Sequence, residues 1–351
     1  MRSFTGLAAW LLLTGPAIPA SGLQQIDFLD VEKAREAILD DRQEPYFLLL
    51  RPHDMSAKTG RPIGPGSPLE QLVECRRRYR EACREFSPAE KDFLRQAAGR
   101  LHPLLAADYP AVAALPWSFL KVDGTIEGGF PHTRGPHIIL PVPRLSLWER
   151  ISRRSSEEAL FAAMSLLAHE QLHVFQRAHP RRLDALYTGV WGFLRAPRIE
   201  SSPWIERREV VNPDATDLGW IFPLRQDGRE RPIWPRILFK EEEPEEGRVH
   251  AMGPDFRMVA VEVEKTPEGY RVRTGPGGRP VVEDLLSVRD YMSRFPGETY
   301  VYHPAEAAAA YFGTIAAVDA LGLRERLPEK ARREMEANQG PVRAWFRENL
   351  R

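Results

Sequence analysis

The chain has 351 residues, 43% of them hydrophobic and 28% charged, with 49 basic residues balancing 49 acidic ones. That length allows one large domain or two. The charge balance removes any electrostatic case for a nucleic acid or an anionic membrane surface as partner, and short basic clusters such as residues 76–78 read as solvated helix faces.

Residues 1–22 read as an export signal. Arg2 supplies the positive start, residues 7–13 an apolar run, Pro16 and Pro19 a break, and residues 20–22 the small side chains for cleavage. The run is shorter than the ~20 apolar residues a bilayer span needs. No other stretch is apolar enough, so no stable membrane span remains after cleavage and the mature protein is expected in the periplasm or outside the cell. Residues 23–66 form an N-terminal segment: a helix over 28–40, a strand or buried turn at 46–50 and a loop over 52–66.

Two helix starts follow. In Ser67-Pro-Leu-Glu70 and Ser87-Pro-Ala-Glu90 a serine caps the helix, a proline fills the first turn, and a glutamate three residues on returns to the cap. They predict helices over 68–85 and 88–107. Cys75 and Cys83 then share one helix about 12 Å apart, beyond disulfide reach unless the helix breaks between them. Residues 117–122 read as a strand, 127–135 as loop and 137–140 as a second strand, and Ser155-Ser-Glu-Glu158 opens a helix over 156–178.

Beyond Pro180 the pattern changes. Residues 190–283 carry short alternating runs, including a hairpin from 258–263 and 270–273 around Pro267-Glu-Gly269. Helices return at 283–294, 304–321 and near the C-terminus. The expected fold class is α+β: a mainly helical core with a small sheet, divided into a helical half at 67–189, a β-rich insertion at 190–283 and a C-terminal helical part at 284–351.

Within the 156–178 helix stands Leu-Ala-His169-Glu170-Gln-Leu-His173. Residues four apart share a helix face, so His169 and His173 present two imidazoles to one point. Two neutral ring nitrogens suit Zn2+. Glu170, about 100° round the helix, is suited to act as general base on a water beside the metal. The same-face residues Ala162 and Ser165 are small and leave room for another element.

The His-Glu-x-x-His motif resembles that of the zincin superfamily of zinc metallopeptidases. The resemblance implies a peptide or protein substrate, hydrolysis by a zinc-activated water with Glu170 as base, and a strand beside the motif helix that pairs with extended substrate; residues 137–140 fit that strand. Two branches differ in the third ligand. His179 has the spacing of the metzincins, but Gln176 stands where their chain-reversing glycine belongs. A continued helix carries His179 about 15 Å along the axis from His169. The gluzincin branch takes a glutamate from a later helix, and Tyr302-His-Pro-Ala-Glu306 followed by Ala307–Ala310 reads as such a helix start, 133 residues beyond His173. The expected metal set is His169, His173 and Glu306, with His179 as the alternative. Ala310 stands where related enzymes place an aspartate that orients a zinc histidine, so that role must fall elsewhere. His132, Arg134, Tyr302 and His303 are the candidates for oxyanion or substrate contacts. A zincin-fold binding or scaffold protein without peptidase activity is the competing reading.

Overall fold

The computed structural model describes residues 26–226 and 228–351, so the export signal expected over 1–22 lies outside the described residues. The architecture is α+β, with about 48% helix and 19% strand in two sheets. In chain order the first part comprises β1 (Ile26–Phe28), α1 (Val31–Ala37), α2 (Tyr46–Leu49), α3 (Pro52–Lys58), α4 (Pro68–Glu81), β2 (Cys83–Arg84), α5 (Pro88–Asp108), α6 (Pro110–Ala113), β3 (Trp117–Val122), β4 (His132–Arg134), β5 (His137–Pro141), α7 (Val142–Ser152) and α8 (Ser156–Ala178). The strands of the second sheet follow: β6 (Leu194–Arg195), β7 (Ile199–Glu200), β8 (Trp220–Gln226), β9 (Arg229–Phe239), β10 (Phe256–Thr266), β11 (Gly269–Val272) and β12 (Val282–Asp284). The short α9 (Pro203–Glu206) lies among them. Then come α10 (Arg289–Met292), α11 (Pro304–Ala320), α12 (Leu323–Arg326) and α13 (Glu329–Asn349).

Of three predicted capping boxes, those on Ser67 with Glu70 and on Ser87 with Glu90 form in full, whereas at Ser155 only the serine accepts, from Glu158 N. Helix α4 ends at Glu81, earlier than expected, because Cys83–Arg84 leaves it to pair with β3. The break does not bring the cysteines together; both are free and buried. Four local expectations fail. Within 127–135, read as loop, residues 132–134 form β4 and pair with β5. Residues 46–49 are helical, and Pro52 at the first turn starts a helix in what was read as loop. Residues 283–294 hold only one short α-helix, because Val282–Asp284 is drawn into β10 as a strand.

The first sheet has the order β1-β3-β5-β4, with β2 sharing β3's outer edge. The β1, β3 and β5 strands are parallel and β4 is antiparallel to β5. Strand β5, the expected substrate-pairing strand, is therefore interior, and β4 is the edge. The main core lies on one face of this sheet, where Trp117, Phe119, Ile138 and Leu140 meet α5, α8 and α11. The other face carries Leu120, Val122 and Ile139 against α1 to α4. The second sheet runs β6-β8-β9-β10-β11-β7 with β12 beside β10, and fills the predicted β-rich stretch.

Helices α8 and α11 are buried along most of their length. They meet where Gly313 lies against the backbone of α8: a Cβ there would come within 2.4 Å of Ser165 O and 3.1 Å of His169 Cβ. Close approach at this point brings the first turn of α11 to the middle of α8. Among the described residues no helix is long and apolar enough to cross a membrane.

Candidate metal centre

Helix α8 presents His169 and His173 one turn apart. His303 caps α11, with Nδ1 accepting from Ala305 N at 3.1 Å and Nε2 donating to Asp217 O at 2.6 Å. That cap sets Glu306 in the first turn, where the positive end of the helix dipole favours a carboxylate. Among the described residues, His169, His173 and Glu306 form a group that can hold a metal ion. The two Nε2 atoms are 3.1 Å apart, and each is 3.6 Å from Glu306 Oε2. A triangle with those sides has its three corners about 2.0 Å from its centre, the distance at which Zn2+ takes imidazole nitrogen and carboxylate oxygen. Two nitrogens and one oxygen are also a donor set that suits zinc.

Two of the three ligands, His173 and Glu306, are oriented by a further residue. Gln176 donates its amide N–H groups to Ala305 O and to the Tyr187 hydroxyl, both at 3.1 Å. Its Oε1 is thereby left to accept from His173 Nδ1 at 2.6 Å. The Nδ1 proton is fixed by that bond, and Nε2 faces the centre. Asn212 donates to Glu306 Oε1 at 2.5 Å and to the Tyr302 hydroxyl, leaving Oε2 to face the histidines. The histidine-orienting role expected of an aspartate on α11 falls to Gln176 on α8 for His173, while Asn212 on a connecting segment orients Glu306.

The electrostatics favour a cation. Burial works against charge on His173, but the carboxylates of Asp214 and Glu306 outweigh it and raise its pKa to about 9. Burial also opposes ionisation of Glu306 and Asp214, yet both are held below the usual carboxylate range, by His173 and His169 for Glu306 and by His173 and Arg177 for Asp214. The negative charge that retains a proton on His173 would equally stabilise a dication. Glu170 differs from these carboxylates. It is buried, its Oε2 has no hydrogen-bond partner, and burial followed by the nearby Asp214 charge pushes its pKa well up.

The remaining sequence candidates fall apart by geometry. Side chains alternate across a strand, so His132 and Arg134 share one face of β4 and Thr133 takes the other. Thr133 bonds Arg177 and Asp214 beside α8. Arg134 instead bonds Asp41 and lies over the Tyr46 and Phe47 rings, and His132 Nδ1 bonds Phe130 O. Both are removed from the oxyanion role, and His303 is a helix cap. Tyr302 remains at the centre's margin through Asn212. His179 ends α8 with its ring 4.7 Å from Phe175 and outside the ligand group, because Gln176 keeps α8 helical to Ala178.

Residues not anticipated as parts of the centre are Gln176, Arg177, Asn212, Thr133 and Tyr300. Tyr300 is 41% exposed, and its ring packs edge-on against Tyr302 with centroids 5.2 Å apart. Asn212-Pro-Asp-Ala-Thr-Asp217 reads in the sequence as a weaker source of a ligand, Asp214 or Asp217; both lie outside the ligand group, and Asp214 bonds Thr133 and Arg177 instead. Comparison of the chain with protein-family models, with curated proteins and with solved structures returns no match.

Proposed function

We propose that this chain is an exported zinc-dependent hydrolase of amide bonds, a peptidase in substrate class and gluzincin-like in its ligand set. The observation that carries the reading is the convergence of three donor atoms on a common centre with a buried, unpartnered carboxylate, Glu170, in the same turn of α8. Export is carried by the sequence of residues 1–22.

His169, His173 and Glu306 would hold the ion. When bound, zinc supplies Lewis acidity that polarises a carbonyl and makes a water acidic near neutral pH. Glu170 would take a proton from the attacking water and return it to the leaving amine, its carboxylate being buried with Oε2 unpartnered. Burial, the Tyr300 hydroxyl and the Glu306 charge push the Tyr302 hydroxyl well above its ordinary range, so it is a neutral donor at the margin of the centre, suited to a developing oxyanion. His169 carries the part of the centre most open to solvent, with 19% of its side chain exposed against 1% for His173 and 3% for Glu306.

The test is Glu170→Gln. Zinc should be retained at one ion per chain, and peptide hydrolysis should fall by roughly 10²–10⁴-fold. A zinc-loaded wild type that cuts nothing in a broad peptide library would end this reading.

A further inference from the structure

Strand β4 is the free edge of the first sheet, and it is where an extended polypeptide would add by main-chain pairing. Yet His132, Thr133 and Arg134 are buried at 2%, 0% and 2% exposure. His132 and Arg134 are buried on the far face, Arg134 against Asp41, Tyr46 and Phe47; what covers Thr133 and the free edge is the connection between α9 and β8, residues 210–217, here termed the strap. In an antiparallel pair, successive residues turn their amides to opposite edges. Thr133, opposite Ile138 in the register, donates its N–H outward to Asp214 Oδ1 at 2.9 Å. The one amide that three-residue β4 offers at its free edge is therefore taken by the chain itself.

The strap is fastened along its length. Val211 N donates to buried Asp54 at 3.2 Å. Asn212 holds the ligand Glu306. Arg177, rooted in α8, donates to Pro213 O at 2.5 Å and to Asp214 Oδ1 at 3.1 Å, and is itself held by Glu44 at 2.7 Å. Lifting the strap would strip Glu306 of its Asn212 donor and leave Arg177, only 5% exposed, without two of its acceptors. A segment that orients a metal ligand is part of the centre and not a detachable lid.

We infer that the strap permanently closes the edge strand, and that this centre acts on short peptides or peptide ends and not on the interior of an extended polypeptide. The inference rests on the hydrolase reading for the word "acts", whereas the closure itself does not. The substrate would reach the metal from the side of His169 and Tyr300, without the main-chain ladder that lets an open edge bind internal segments.

Two measurements test it on the zinc-loaded full chain. The first is amide hydrogen exchange at Thr133, where a fixed strap predicts protection on the order of 10³-fold or more over an open edge amide. The second is a nested series of peptides around one scissile bond, from dipeptide to twenty residues, together with an unfolded protein. The account expects kcat/KM to stop rising within the first few residues and the unfolded protein to be uncut internally. Fast exchange at Thr133, or internal cleavage with kcat/KM that climbs with length, overturns it. If no peptide is cut at all, the hydrolase reading falls and the closure is still decided by the Thr133 amide.

Discussion

The candidate centre is assembled from two unlike regions. Helices α8 and α11 supply the three donors from regular structure, locked together where Gly313 meets Ser165. The strap supplies Asn212 and Asp214 from irregular chain, and its conformation is held by what it touches, Asp54, Arg177, Thr133, Tyr302, His303 and Glu306 among them. A helix carries its ligand geometry in its own repeat. A connection carries none, and must be fastened at every residue that matters. The helical region should therefore fail by packing and the strap by loss of single polar contacts.

The root of the strap gives the largest expected effect. Burial, opposed by Lys58, raises the Asp54 pKa to about 7 from 3.8. The folded state therefore binds the extra proton between those values, and this group's contribution to stability falls as pH rises from about 4 to 7 and is constant outside that window. A carboxyl held at about 7 in place of 3.8 contributes roughly 4 kcal/mol at most. Asp54→Asn keeps an acceptor for Val211 N and removes the titration. Chemical denaturation from pH 4 to 8 should show a flatter profile for the variant, and parallel profiles would contradict the assignment. In the helical region, Gly313→Ala forces a methyl group onto the α8 backbone and should cost about 1–3 kcal/mol or more in unfolding free energy. It should also weaken zinc binding, because His169 lies at the same contact.

Smaller effects separate orientation from packing. Gln176→Ala should lower zinc affinity by roughly 10–100-fold. Gln176→Glu, which retains the acceptor for His173, should recover much of it; a glutamate variant as weak as alanine would show that the tie to Ala305 is what matters. Asn212→Ala, at the smallest end, removes one donor to an ionised carboxylate. It should reduce zinc affinity by about tenfold and speed exchange at Thr133, and competition with a chelator reads the first.

This contrast also marks what the sequence makes legible. Serine caps announce α4, α5 and α8, and the i, i+4 spacing of His169 and His173 states its own geometry, because helical order needs only local information. The site of Glu306 was readable as far as a helix start with small residues behind it. Its distance from α8 depends on tertiary packing at Gly313, which no local pattern records. His132 and Arg134 drew notice by chemistry alone, and the two-residue alternation of β4 turns them away while presenting Thr133. The strap was opaque for the converse reason: Asn212 and Asp214 act through partners on α11, α8 and β4, more than thirty residues away in each case. Residues 52–58 read as loop for their prolines, yet Pro52 sits at the first helical turn, where a proline is tolerated.

The most direct test of the central claim is calorimetric titration of the metal-free full chain with Zn2+, alongside His173→Ala and Glu306→Ala. The account predicts one ion per chain for the wild type and a loss of affinity on the order of 10³-fold in each variant, since a three-donor site reduced to two cannot close around the ion. Wild-type protein that takes up no zinc, or binds it equally well without His173 and Glu306, would contradict it.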